Sequence, residues 1–422
     1  MKLPDIIQIR PLTVPARGTV SVPGSKSLTN RGLILAALGE GWTELRGALW
    51  AEDTEHMAKA LQALGFELEV KPDPTHECNR LLRVRGQKGR IPAREAELYV
   101  GTAGTTARFL AAFCALGKGS YRIHGSPRMH ERPMRELFDA LRSVGAQVED
   151  QDGRLPATIS GPVRPGRVFI AGEDSSQFAS AMLLISRAAE IVVDSPPSPY
   201  VDMTQRLLGE WKDPAEARDV EPDASSGSYF IALRHLHGGN DQAPALQIDR
   251  WPVISSQVDH HIADFLPPPP QVSREKDLGD AVLTLAVSAA ALRQAFRLVE
   301  AAHLRKQECD RIAVMASELA KCGVPAREEA EELILEPARQ FKSAVIRTHN
   351  DHRIAMSFAV LGSVDAMGDG SPWITLENPS CVSKSFPNFF ETLESVARQS
   401  YERAGRGYEP MILGGDAKPV FA

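Results

Sequence analysis

Lys26 and Ser27 follow the turn Val22-Pro23-Gly24 and stand where a short apolar run, Gly32 to Leu38, must begin as a helix; Arg31 lies one turn further on. Unsatisfied backbone N–H groups and the helix dipole at such a start favour an anion. A guanidinium one turn away adds a second positive contact to the same ligand. The chemistry on offer is recognition of a small phosphate or carboxylate. One start of this kind is weak evidence, but the chain repeats it. Gly101-Thr102-Ala103-Gly104-Thr105-Thr106 opens Ala107–Leu116, and Asp174-Ser175-Ser176-Gln177 opens Phe178–Ile185. Asp223-Ala224-Ser225-Ser226-Gly227 opens Tyr229–Leu233, Asp277-Leu278-Gly279-Asp280 opens Ala281–Leu292, and Asp351-His352-Arg353 opens Ile354–Leu361.

The helices behind these starts are Ala, Leu, Ile and Val nearly all round, the composition of buried rather than surface helices. Strand-like pieces such as Glu67–Val70 and Leu81–Val84 lie between them. The pattern predicts an α/β (α+β) chain with helices inside and sheets outside, built from a repeated strand–helix–strand–helix–strand unit. The anchors fall near residues 26, 104, 176, 226, 280 and 351. Intervals three and four are shorter than the rest by roughly 20 residues, so units three and four are each expected to lack a hairpin. A junction near Gly238-Gly239 places three units on each side. The first domain is then 1–21 plus 240–422, discontinuous in sequence, and the second is 22–239. Pro267–Pro270 reads as an extended connection. The glycine-bearing tail 401–422 is expected to pack loosely.

At 422 residues the chain is long enough for two domains. Five scattered cysteines without a CxxC pair argue against a zinc site or a disulfide framework, and for a reducing cytoplasm. The net charge of −6 disfavours nucleic acid as a partner. No apolar run reaches membrane-spanning length.

The ordered motifs PGSKSLTNR (23–31), GTAGTTARF (101–109), PRMHERP (127–133), SSQF (175–178), DLGDA (277–281), RKQECDRI (305–312), NDHRIAM (350–356) and VSKSFPNFF (382–390) carry a specific likeness. Over residues 10–395 the chain resembles the 5-enolpyruvylshikimate-3-phosphate (EPSP) synthase family. The resemblance implies a two-domain inside-out α/β barrel of six βαβαββ-type units, the enolpyruvyl transferase fold. It implies transfer of the enolpyruvyl group of phosphoenolpyruvate to the 5-hydroxyl of shikimate 3-phosphate, with release of phosphate. The expected partners are those two small molecules, with no cofactor, no metal and no membrane, and the expected state is a monomer.

By the same resemblance, Lys26 touches both substrates. Ser27, Arg31, Ser175, Ser176, Gln177 and Tyr200 bind shikimate 3-phosphate, together with Asp280, His303 and Gln307. Thr102, Gly104, Arg128, Gln177, Arg311, Arg353 and Lys384 bind phosphoenolpyruvate, the cations clamping its phosphate and carboxylate. Asp280 is the expected base for the 5-hydroxyl proton and Glu308 the acid for the methylene carbon. Such a pair needs environments that separate its pKa values.

The chain departs from the usual signature at Thr102 (commonly Asn), His303 (commonly Asn), Gln307 (commonly Lys) and Pro197 (commonly Ser). Gln307 substitutes a neutral amide for a cation, which is expected to weaken shikimate 3-phosphate binding. A paralogue acting on another hydroxylated ring acid and a non-catalytic anion-binding homologue are the alternatives. The related transferase that acts on UDP-N-acetylglucosamine uses a loop cysteine as acid, whereas Cys114 sits inside an apolar helix run.

Overall fold

The computed structural model describes residues 3–211, 217–238 and 245–421. The chain forms two compact units, unit 1 from Met1–Val22 and Pro222–Ala422, and unit 2 from Pro23–Glu221. The junction expected at 239/240 lies outside the described residues. The chain instead passes between units at Val22/Pro23 and Glu221/Pro222. The helix Ala224–Leu236 therefore belongs to unit 1, where the Phe230 ring packs at a tilt against Phe386 and Phe389.

All of the expected helix starts are present. Unit 2 holds α1 (Lys26–Leu38), α2 (Gly104–Cys114) and α3 (Ser176–Ala189). Unit 1 holds α4 (Ala224–Leu236), α5 (Val282–Ala291) and α6 (His352–Gly362). Every residue of α2 and of α6 is buried. A helix with no solvent face needs apolar or small side chains all round, which is what the sequence supplies.

Sheets cover these helices. Among the described residues, each unit carries two four-stranded sheets and one two-stranded sheet. In unit 2 one four-stranded sheet runs Arg218–Asp219, Glu40–Leu49, Asn79–Gln87, Leu68–Pro72, with a parallel first pair and antiparallel pairs after it. The other (Glu95–Tyr99, Ser120–His124, Ala157–Ser160, Gln147–Glu149) repeats that pairing. So do both four-stranded sheets of unit 1. One pairing rule used four times is the structural form of the sequence repeat. The two short repeats carry parallel two-stranded sheets, Gly166–Phe169 with Ile191–Asp194 and Gln247–Ile248 with Thr19–Val20. The missing hairpins are thus accounted for.

The tail is not loose. Ile412–Gly414 adds to Ile6–Ile9 as an edge strand, and Tyr401, Met411 and Leu413 are buried. The carboxylate of Glu394 holds it by accepting the N–H groups of Met411 and Ile412, the latter at 2.7 Å. Glycine content misled here, because Tyr401 before the glycines and Met411, Ile412 and Leu413 among them supply a buried apolar set. Pro267–Pro270 connects the 3-10 segment Val258–Phe265 to the strand Gln271–Ser273, as expected. No described helix is long and apolar enough to cross a membrane.

Candidate active site

In unit 2 the turn before α1 is tight enough to require glycine, since a Cβ on Gly24 would lie 1.9 Å from the Gly47 carbonyl oxygen. Ser25 caps the helix, its Oγ accepting the Leu28 N–H at 3.4 Å. Lys26 follows, and its Nζ stands 3.2 Å from Asp53 Oδ2, both side chains being largely buried. Asp53 was not foreseen as part of the site. It holds the ammonium at the start of α1.

Arg31 is 1% exposed. Its Nε donates to Thr204 Oγ1 at 2.9 Å, and Nη1 to the Ser27 carbonyl at 3.1 Å. Its Nη2 donates to Ser180 Oγ at 3.3 Å and to the Tyr200 carbonyl at 3.5 Å. Burial lowers its pKa to about 10, so it remains charged at neutral pH. Ser27, Arg31 and Tyr200 are therefore brought together, with Ser180 and Thr204 as unforeseen members. Arg31 binds the protein itself, and ties the start of α1 to the segment at Tyr200.

A second cluster surrounds the start of α2, which has no side-chain cap. The Thr102 carbonyl accepts from Arg132 Nη1 at 3.0 Å. A Cβ on Gly104 would lie 2.5 Å from Arg108 Nη1 and 2.6 Å from Arg132 Nη2. Arg108 Nη1 also donates to Gln177 Oε1 at 2.8 Å, linking α2 to the start of α3. There Ser175 caps the helix by accepting the Gln177 N–H at 3.2 Å, and Ser176 is the first helical residue. Two guanidiniums thus stand beside a helix start without a side-chain cap, an arrangement that can receive an anion.

Arg128 pairs with Glu131 at 2.7 Å, its side chain 34% exposed. The arginine of PRMHERP that reaches Gly104 is Arg132. The short helix Pro127–Glu131 ends at Arg132, whose extended backbone (φ −75°, ψ 138°) is the conformation favoured before Pro133.

In unit 1 the organising group is the Arg311 guanidinium, 1% exposed at the start of the helix Arg311–Lys321. Its Nε and Nη2 donate to Asp351 Oδ2 and Oδ1 at 2.7 and 3.1 Å. Nη2 also meets Glu308 Oε2 at 3.0 Å, and Nη1 meets Asp280 Oδ1 at 3.3 Å. Burial works against this charge, but Asp351, Glu308 and Asp280 outweigh it and hold the pKa well above the ordinary arginine value. Asp280 further faces Arg353 Nη2 at 3.3 Å and Arg274 Nη2 at 3.8 Å. Lys384 Nζ lies 3.5 Å from Glu308 Oε1. Arg353, also buried, donates to the Tyr229 hydroxyl at 3.4 Å. Asp280, Glu308, Arg311, Arg353 and Lys384 are thus one cluster, with Asp351, Arg274 and Tyr229 added to it.

Gln307 belongs to the same cluster, its Oε1 accepting from Arg311 Nη1. It is a neutral acceptor for that guanidinium, not merely a position where a cation is missing. His303 faces Glu275 Oε1 at 3.5 Å. Cys114 is fully buried inside α2, and burial pushes its thiol up.

A sequence profile of EPSP synthase (3-phosphoshikimate 1-carboxyvinyltransferase) matches residues 12–241 and 271–393. The chain belongs to the EPSP synthase family. A 3-phosphoshikimate 1-carboxyvinyltransferase of Opitutus terrae is 39% identical over 95% of this chain and 99% of its own length. One from Nostoc punctiforme is 34% identical over 94% of this chain and 100% of its own. Among solved structures, EPSP synthase from Acinetobacter baumannii superposes with a TM-score of 0.71 at 22% identity, covering 94% of this chain and 98% of that one. The enolpyruvyl transferase NikO from Streptomyces tendae gives 0.66 at 15% identity, over 93% and 97%. These likenesses establish the enolpyruvyl transferase fold for this member of the EPSP synthase family.

Proposed function

We propose that this chain is a 3-phosphoshikimate 1-carboxyvinyltransferase, an enzyme of aromatic amino-acid biosynthesis acting in the cytoplasm as a monomer. The observation that carries the reading is Arg311, one buried guanidinium contacting both candidate catalytic carboxylates, Asp280 and Glu308. Lys384 and Arg353 flank that pair. A protein that only bound anions would gain nothing from two carboxylates competing for its cations.

In the proposed reaction the 5-hydroxyl of shikimate 3-phosphate attacks C2 of phosphoenolpyruvate. Asp280 takes the hydroxyl proton and Glu308 delivers a proton to C3, giving a tetrahedral adduct. The C2–O bond to phosphate then breaks, phosphate leaves with the electron pair, and C3 returns a proton to the Glu308 carboxylate to restore the double bond. Both carboxylates face cations, and the phosphate and carboxylate of phosphoenolpyruvate compete for those same cations. Binding of this substrate therefore raises the proton affinity of the two carboxylates and readies Glu308 as an acid. In unit 2, Lys26, Ser27, Ser175, Ser176, Gln177 and Tyr200 are assigned to shikimate 3-phosphate, with Arg31 holding Ser27 and Tyr200. Thr102, Gly104 and Arg132 are assigned to phosphoenolpyruvate.

The assignment of Arg132 has a direct consequence. Arg132→Ala is expected to raise KM for phosphoenolpyruvate by about 10–100-fold, the worth of a charge-assisted hydrogen bond. An unchanged KM in steady-state kinetics would put the site elsewhere.

An acceptor comparison tests the function itself. With phosphoenolpyruvate, shikimate 3-phosphate should yield its enolpyruvyl ether by mass spectrometry, and unphosphorylated shikimate should yield far less. Preference for a ring acid without the 3-phosphate would instead favour a paralogue with another substrate.

A further inference from the structure

Asp259 lies in the 3-10 segment Val258–Phe265 of unit 1 and is 2% exposed. Its Oδ1 accepts the N–H of Gly279 at 2.6 Å. Its Oδ2 accepts the hydroxyl hydrogen of Ser225, in the first turn of α4. Gly279 is the residue before Asp280. The same turn is pinned at its other end by Asp277, whose Oδ2 accepts the Ser273 N–H at 2.8 Å. Asp280 stands between these anchors and the helix α5, with Arg311, Arg353 and Arg274 on its carboxylate. Gln257, two residues before Asp259, supports the arrangement from behind. It accepts the Ala224 N–H at 3.0 Å and donates to the Pro222 carbonyl at 2.9 Å, fixing the segment that leads into α4.

An acidic side chain is an expensive way to hold one backbone amide in a buried place. Burial and the nearby Asp280 carboxylate both push the Asp259 pKa up, against Ser225, Arg353 and Arg274. A charge-assisted bond to the Gly279 amide is what such a group offers in return, being shorter and stronger than a neutral one.

We propose that Asp259 is a positioning residue for Asp280, setting the Leu278-Gly279-Asp280 turn through the Gly279 amide so that the Asp280 carboxylate spans Arg311 and Arg353. The inference rests on the reading of Asp280 as the base. Misplacing a reacting group by about 1 Å costs on the order of 10²-fold in rate, so the link from Asp259 acts on kcat. The effect falls on kcat far more than on substrate affinity.

The test is a double-mutant cycle on phosphate release. Asp259→Ala should lower kcat by about 10²-fold with both KM values within about 3-fold. Asp259→Asn still offers an oxygen to the Gly279 N–H, so it should recover kcat to within about 5-fold of the parent. In an Asp280→Asn background, Asp259→Ala should cost no further kcat, because the group it positions has lost its proton-accepting role. An undiminished kcat in Asp259→Ala, an equal loss in Asp259→Asn, or a fully additive loss in the double variant would each overturn the inference. Should Asp259→Ala fail to fold, Asp259→Ser, whose hydroxyl is too short to reach the Gly279 N–H, takes its place with the same expected and overturning results. An Asp280→Asn variant with the parent kcat would overturn the reading of Asp280 instead, so the two failures are distinguishable.

Discussion

Replacing Asp280 with asparagine is expected to lower kcat for phosphate release by about 10²–10⁴-fold, the usual worth of a general base. The variant should still fold. Arg311 keeps the Asp351 carboxylate at 2.7 Å and Glu308 at 3.0 Å, so the buried guanidinium retains two anionic partners. Affinity for phosphoenolpyruvate should hold or improve, because Asp280 occupies Arg311 and Arg353 at 3.3 Å each and competes with an incoming anion. The readouts are kcat and a direct titration with phosphoenolpyruvate. A kcat near that of the parent would remove Asp280 from the role of base. Weaker binding with intact kcat would make it a ligand for substrate instead.

Asp351→Ala is expected to act mainly on stability. This carboxylate is fully buried, receives two donors of Arg311 and also caps α6 by accepting the Arg353 N–H at 2.9 Å. Breaking one partner of a buried ion pair costs about 3–5 kcal/mol, and loss of a cap alone costs about 1 kcal/mol. The two overlap, so about 3–5 kcal/mol in urea unfolding is the expected total. Since the carboxylates on Arg311 are then Asp280 and Glu308, with the Gln307 amide oxygen beside them, kcat should fall as well. A loss below about 1 kcal/mol would mean that those two carboxylates suffice to hold Arg311.

Much of the frame was legible because burial of whole helices leaves a compositional mark. The runs behind Lys26, Gly104, Ser176, Ala224, Val282 and His352 carry too few polar residues to form a surface face, and each is buried. The short third and fourth intervals likewise marked the repeats that have two strands instead of four. What stayed hidden is contact between residues far apart in the chain. Arg31 meets Ser180 and Thr204 across 149 and 173 positions, and no local pattern announces that. In PRMHERP the motif offers two arginines four positions apart. Only the break in helix before Pro133 distinguishes Arg132, which turns to Gly104, from Arg128, which pairs with Glu131. Asp351 was visible as a helix start, but its second role depends on where Arg311 arrives.

The proposed enolpyruvyl transfer to shikimate 3-phosphate is tested by phosphate release from the purified chain, given phosphoenolpyruvate with and without shikimate 3-phosphate. Release should require both substrates and disappear in Asp280→Asn. No release above background from correctly folded protein, or release indifferent to shikimate 3-phosphate, would contradict it.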